Sequence, residues 1–369
     1  MRIEEIDRNF VSQPMNGLDL VFQEAGLVPD GLSGLAFYRH EGRYCRLPQA
    51  ALAAQNAGVQ ELAWHTAGAQ VRFRTTSPVI ALQVELRNVA SMNHMPSSGQ
   101  SGFDLYLGTG GGKRYMKTLI PPVGQKEHAG VLLQAGTAPG EIREATINFP
   151  LYNGVNTVRV GLLPGAEIMP PTPFALGRPI LFYGSSITQG GCASRPGNAY
   201  CQMVARRFDA ECLNFGFSGS ARGELAMAEV LAGLDPAVFV LDYDHNAPNV
   251  EHLENTHAVF FRYIRERKPE LPVVFVSRPD VDSNPADGDR RKAIIRRTYE
   301  DAVAAGDRRV YFVDGLLLFG SVDRDACTVD GCHPNDLGFY RMAQAIAPAV
   351  EKALADSGQL GRGGAQVKR

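Results

Sequence analysis

The sequence predicts an all-β sandwich followed by an α/β domain built on a parallel sheet. Three observations carry this reading. Before about residue 165, apolar residues alternate with polar ones at the two-residue period of half-buried strands. After Gly177, short apolar strands alternate with helical stretches. A proline cluster, Pro164 to Pro173, stands between the two patterns as a stiff connector. At 369 residues the chain is long for one hydrophobic core, so two domains are expected.

In the first half, Ile80, Leu82, Val84 and Leu86 point one way and Ala81, Gln83 and Glu85 the other. Val158, Val160 and Leu162 repeat the alternation against Thr157 and Arg159. Turn chemistry separates such runs at Ser77-Pro78, Gly110-Gly111-Gly112, Pro121-Pro122 and Asn153-Gly154. Short alternating strands between turns predict a sandwich. In the second half, Pro179–Tyr183, Val238–Tyr243, Pro272–Ser277 and Val310–Val313 read as buried strands. Leu253, His257, Phe260 and Ile264 fall on one face of a helix near 250–267. Strand and helix in alternation predict a parallel sheet covered on both faces, with the site beyond the carboxyl ends of its strands. The expected organisation is a sandwich over 1–170, an α/β domain over 176–356 and a flexible tail over 357–369.

Composition narrows the function classes. Apolar residues make up 44% and charged residues 21%, as in ordinary globular proteins. No apolar run reaches the roughly 18 residues of a membrane span. A net charge of −2 gives no electrostatic reason to expect nucleic acid or an acidic membrane as partner. The N-terminal Met-Arg-Ile-Glu-Glu-Ile-Asp-Arg lacks the apolar core of a secretory signal. Six cysteines are too sparse for a disulfide scaffold, so reduced thiols and a cytoplasmic location are expected.

Chemistry-bearing residues gather at four strand ends or loops: Gly184-Ser185-Ser186, Asn214-Phe215-Gly216-Phe217-Ser218-Gly219, Asp244-His245-Asn246, and Asp330-Gly331-Cys332-His333. A serine hydroxyl needs a base within hydrogen-bond reach to become a nucleophile. Histidine can take that proton, and a carboxylate can fix its tautomer and steady the imidazolium. Asp330 and His333, three apart on one loop, meet without long-range help. Gly219 offers an unobstructed N–H and Asn246 a side-chain NH₂ to a developing oxyanion. Each block alone has a plainer reading, as a helix cap above all.

Together the four blocks resemble those of the SGNH (GDSL-type) hydrolases, a flavodoxin-like esterase family. The resemblance implies Ser186 as nucleophile, Asp330 and His333 as its relay, and an oxyanion hole of Ser186, Gly219 and Asn246. Two departures stand out: Gly184-Ser185-Ser186 replaces the usual Gly-Asp-Ser, and Asp244-His245-Asn246-Ala247 replaces Gly-x-Asn-Asp. The first leaves Ser185 and Ser186 to be told apart. Gly102-Phe103-Asp104-Leu105-Tyr106 resembles the Gly-x-Asp-Leu-Tyr motif of β-sandwich domains, jelly-roll-like in form, that precede some of these esterases.

The expected reaction is hydrolysis of short acyl esters, acetyl foremost, on a small molecule or oligosaccharide. No cofactor and no metal are expected. Cys327, Cys332 and His333 lack the paired spacing of a zinc site, though Cys332 beside His333 invites a test of alkylation. Arg195, just beyond the nucleophile turn, is expected to line the substrate pocket. The competing readings are a short-chain lipase or thioesterase, and a carbohydrate-binding protein that has lost activity.

Overall fold

The computed structural model describes residues 15, 17–136, 141–280, 282 and 284–360. Its first half is a sandwich of two antiparallel sheets. One runs in the order β1 (Val21–Glu24), β9 (Val155–Leu162), β4 (Val79–Leu86), β7 (Glu127–Gln134). The other runs β10 (Ile168–Met169), β3 (Gln70–Thr75), β8 (Arg143–Asn148), β5 (Phe103–Leu107), β6 (Arg114–Leu119), with β2 (Leu32–Ser33) on β3. The period-2 residues close the space between them. Leu82 of β4 faces Val160 of β9, and both pack with Val71, Phe73, Phe103, Leu105 and Ile147 of the opposite sheet. The glycine run Gly110–Gly112 forms the turn of the β5–β6 hairpin.

The second half is a five-stranded parallel sheet in the order β12 (Ala210–Gly216), β11 (Leu176–Gly184), β13 (Val238–Asp242), β14 (Val273–Val276), β15 (Val310–Val313). This is the flavodoxin-like doubly wound order. Side chains alternate along β11. Ile180 and Phe182 pack under the helices Tyr200–Arg207 and Asp336–Asp356. Leu181 and Tyr183 pack under Leu225–Ala232, Val250–Arg267 and Pro285–Ala304. Leu253, His257, Phe260 and Ile264 are buried on the inner face of their helix, as their spacing requires. The crossovers leave β11 in opposite directions, which opens a crevice at its carboxyl end.

Packing does not divide the chain where the periodicity changes. Cys45, Leu47, Val59 and Ala63 precede the sandwich strand β3, yet share a hydrophobic cluster with Tyr183, Phe215 and Phe217 of the α/β half. Arg46 is 1% exposed and donates to the carbonyls of Leu62 (2.7 Å), Asn214 (2.9 Å) and Gly216 (2.6 Å). Its guanidinium also lies 4.4 Å over the Phe217 ring. Within the expected tail, Gln359 donates to Ala237 O at 2.8 Å and Leu360 packs against the core, while 361–369 lie outside the described residues.

Candidate active site

The crevice receives residues from all four blocks. β11 ends at Gly184, where a Cβ would come within 2.3 Å of Asp242 O on β13, so only glycine lets the two strands approach this closely. Ser185 then caps the helical turn Ser186–Gln189, its hydroxyl accepting the Ile187 N–H at 3.2 Å. That separates the two serines. Ser185 is spent on the cap, and Ser186 Oγ lies 3.0 Å from His333 Nε2.

His333 sits on a tight loop closed by a Thr328–Pro334 bridge, with Gly331 at φ +83°. Asp330 organises this loop. Its Oδ1 accepts the backbone N–H of Cys332 (3.0 Å) and His333 (2.7 Å), while Oδ2 lies 2.7 Å from His333 Nδ1. Partial burial works against the Asp330 charge, but these bonds and the imidazole outweigh it and hold the carboxyl below its ordinary range. An ionised carboxylate on Nδ1 leaves Nε2 free to accept the serine proton.

Asn246, after β13, faces Gly219, after β12. Its Nδ2 donates to Phe217 O at 2.8 Å, and its Oδ1 accepts the Gly219 N–H at 3.0 Å. The amide orientation is thus fixed from both sides, and one amide hydrogen remains. The Gly219 N–H, expected to donate to an oxyanion together with Ser186 and Asn246, here bonds the Asn246 amide. Ser186, first in its helical turn, carries an N–H with no intrahelical acceptor.

Arg195, expected to line the substrate pocket, turns its guanidinium toward the sandwich. Its guanidinium bonds Tyr106 Oη, pairs with Asp104 Oδ2 at 3.3 Å and stacks 3.9 Å over Tyr115. Asp104 is buried and also accepts the Gly197 N–H (2.9 Å) and Asn148 Nδ2 (2.6 Å). The Gly-x-Asp-Leu-Tyr motif therefore grips the loop that follows the Ser186 turn.

Several residues at the site had no signal in the sequence. Tyr152, from the turn before β9, donates to Ser186 O at 3.0 Å. The His94 ring stands edge-on to His333, centroids 5.6 Å apart. Behind Asn246, His245 Nε2 lies 2.8 Å from Asp280, which Arg278 clamps at 2.7 and 2.6 Å. Cys332 touches His245, but burial with Asp280 and Asp330 nearby pushes its thiol up to about 12. That environment counts against the alkylation-sensitive thiol raised by the sequence. A cleft of about 620 Å³, lined by Phe261, Arg262 and Asp301 among others, contains none of the four blocks.

The GDSL-like lipase/acylhydrolase family model matches residues 177–351. The GxDLY model, the N-terminus of SGNH-hydro-type esterases, matches residues 22–168. The chain is an SGNH-type esterase. A search of curated protein sequences finds no match. Among solved structures, the esterase is similar to a GDSL-like lipase from Bacteroides ovatus, with TM-score 0.82 and 28% identity over 91% of this chain and 98% of that one. A salicylyl-acyltransferase from a tetracycline biosynthetic pathway shares the fold at TM-score 0.71 and 20% identity, over 92% and 98% of the two chains. A family two carbohydrate esterase from Clostridium thermocellum, solved with cellohexaose, shares it at TM-score 0.59 and 16% identity, over 78% and 93%.

Proposed function

We infer that the esterase removes short acyl groups, acetyl foremost, from a carbohydrate, with Ser186 as nucleophile, His333 as base and Asp330 as its orienting carboxylate. The observation that carries this reading is the unbroken relay from Asp330 through His333 to Ser186, at 2.7 and 3.0 Å, in the crevice of the parallel sheet. Ser186 Oγ attacks the ester carbonyl as its proton passes to His333 Nε2. The Ser186 N–H and the remaining Asn246 amide hydrogen meet the oxyanion, and Gly219 holds that amide in place. His333 returns the proton to the leaving alcohol, and water, activated by the same base, frees the acid.

The carbohydrate part rests on fold likeness to carbohydrate esterases, the Clostridium thermocellum enzyme with its bound cellohexaose among them. The likeness to the salicylyl-acyltransferase supports a second reading, in which an alcohol takes the acyl group instead of water. The intact relay counts against an inactive carbohydrate-binding protein.

The test is hydrolysis of p-nitrophenyl acetate, butyrate and octanoate by wild type and Ser186→Ala. Acetate turnover that disappears in the variant is expected. A rate unchanged in Ser186→Ala would refute the nucleophile. Octanoate turned over faster than acetate would favour the lipase reading. Product esters formed on adding an alcohol, in preference to free acid, would favour the acyltransferase.

A further inference from the structure

The loop that brings His94 to the site is held on both sides of it. Met95 is buried in the hydrophobic cluster beneath the parallel sheet, and Met92 packs against the same cluster. Upstream, Asn88 exchanges two hydrogen bonds with Asn153, at 3.2 and 2.8 Å. His94 itself is exposed, beside the open side of the His333–Asp330 pair.

One ligand atom each from His94, Asp330 and His333 lie within 4.8 Å of one another. Two imidazoles and a carboxylate are a favourable donor set for zinc, which binds nitrogen and oxygen at about 2.0–2.2 Å in a tetrahedron. Neighbouring ligands of such an ion are about 3.4 Å apart, so the exposed His94 ring need close by at most about 1.4 Å, while the 2.7 Å contact between His333 Nδ1 and Asp330 Oδ2 opens to admit the ion. Water can supply the fourth position.

The second cluster of this kind, His245, Asp280 and Cys332, is differently placed. Both Asp280 oxygens are bonded by Arg278, whose positive charge opposes a cation there. Among the described residues, the hydrogen-bond partners of the His94 group include no cation: His94 bonds Asn93, Asp330 bonds its own loop, and His333 bonds Asp330 and Ser186.

We propose that His94, Asp330 and His333 form a reversible inhibitory zinc site, through which a loop of the sandwich controls the esterase. An imidazole bound to zinc cannot pivot between Asp330 and Ser186, so the serine keeps its proton and hydrolysis stops. The proposal rests on His333 being the base. Magnesium, which prefers all-oxygen shells and gives up water reluctantly, does not substitute.

The test joins calorimetric zinc binding to p-nitrophenyl acetate hydrolysis, each variant being scaled to its own zinc-free rate. Wild type and Ser186→Ala should each bind one Zn²⁺ at micromolar concentration. His94→Ala should bind at least about tenfold more weakly, on the scale by which lost partners weaken metal sites. Zinc should inhibit wild type with the same midpoint, chelator should restore the rate, and His94→Ala should resist in proportion. Cys332→Ala should bind like wild type. Zinc binding lost in Cys332→Ala but kept in His94→Ala would overturn the proposal in favour of the second cluster. Binding through His94 that leaves hydrolysis untouched would overturn the inhibitory role. A fault in the catalytic reading itself shows separately, as zinc-free turnover that Ser186→Ala fails to remove.

Discussion

Replacing Asn246 by alanine tests the oxyanion assignment most sharply. In the structure the amide donates one hydrogen to Phe217 O at 2.8 Å and accepts the Gly219 N–H at 3.0 Å. One hydrogen is left for the substrate. Removing an oxyanion donor typically costs about 2.7–4 kcal/mol of transition-state stabilisation, roughly 10²–10³ in kcat. Truncation also removes the acceptor of the exposed Gly219 N–H, while Phe217 O keeps the Ser220 and Ala221 N–H groups at 3.0 and 3.2 Å, so the cost in stability should be about 0.5–1.5 kcal/mol. The variant must therefore be shown to be folded, by circular dichroism and a melting curve, before its rate is read. With p-nitrophenyl acetate, kcat should fall by about 10²–10³ while KM moves by no more than a few-fold. Asn246→Asp keeps an acceptor for Gly219 but has no N–H and adds negative charge, so it should be at least as slow. A folded Asn246→Ala within tenfold of wild type would refute the donor role. So would an aspartate variant faster than the alanine one, which would reduce Asn246 to a brace for Gly219.

Three further outcomes follow from the same contacts. Arg195→Ala breaks an ion pair with the buried Asp104 and should lower stability by about 3 kcal/mol, the low end for such a loss because Asn148 and Gly197 still serve the carboxylate; a raised KM at unchanged Tm would instead return Arg195 to the substrate. Asp242 is buried, which pushes its carboxyl up to about 7 against the bonds from Tyr200 and Thr188. Its native form therefore keeps a proton that the unfolded chain releases near pH 4, so wild-type stability should fall as pH rises from about 4 to 7. Asp242→Asn should escape this, melting higher than wild type at pH 8 with little difference at pH 4; an equal difference at both would refute the buried carboxyl as its source. Cys332, with its thiol pushed up to about 12, should resist iodoacetamide at neutral pH, and rapid loss of activity that Cys332→Ala prevents would refute that environment.

What the sequence made legible is what the chain builds locally. Asp330 and His333 lie three apart, so one loop fixes both their mutual distance and the ring orientation. Ser186 follows a strand whose residues alternate cleanly between two helix layers, and the strand-end rule for parallel sheets locates it. Side-chain direction was not legible. Arg195 is nine residues from Ser186, yet its side chain turns to the sandwich because Asp104 and the rings of Tyr106 and Tyr115 offer a buried anionic, aromatic seat. The Gly219–Asn246 pairing was hidden too, since it depends on how β12 and β13 flank β11. Tyr152 and His94 come from a turn and an aperiodic loop, and only docking of the two halves gives either a role.

That docking explains why the sandwich is more than an appendage. Asp104 and Tyr106 hold the loop just after the Ser186 turn, and Tyr152 bonds the carbonyl of Ser186 itself. Arg46 bonds the carbonyls of Asn214 and Gly216, at the end of the strand that leads to Gly219. His94 stands against the Asp330–His333 loop. Three of the four blocks are thus braced from the N-terminal half. The fourth, around Asn246, is braced within the α/β half, where Asp244 accepts the Arg278 N–H and Arg291 bonds the Asp244 and Ala247 carbonyls. Oxyanion stabilisation depends on donors already in place when charge develops. On the proposed reading, a shift between the halves would disturb Ser186 and the Gly219 that holds the Asn246 amide, and so misalign the two proposed oxyanion donors. The charge-assisted bonds of the buried Arg46 and the half-buried Arg195 oppose that shift, so on this reading the contact between the halves is part of the catalytic geometry.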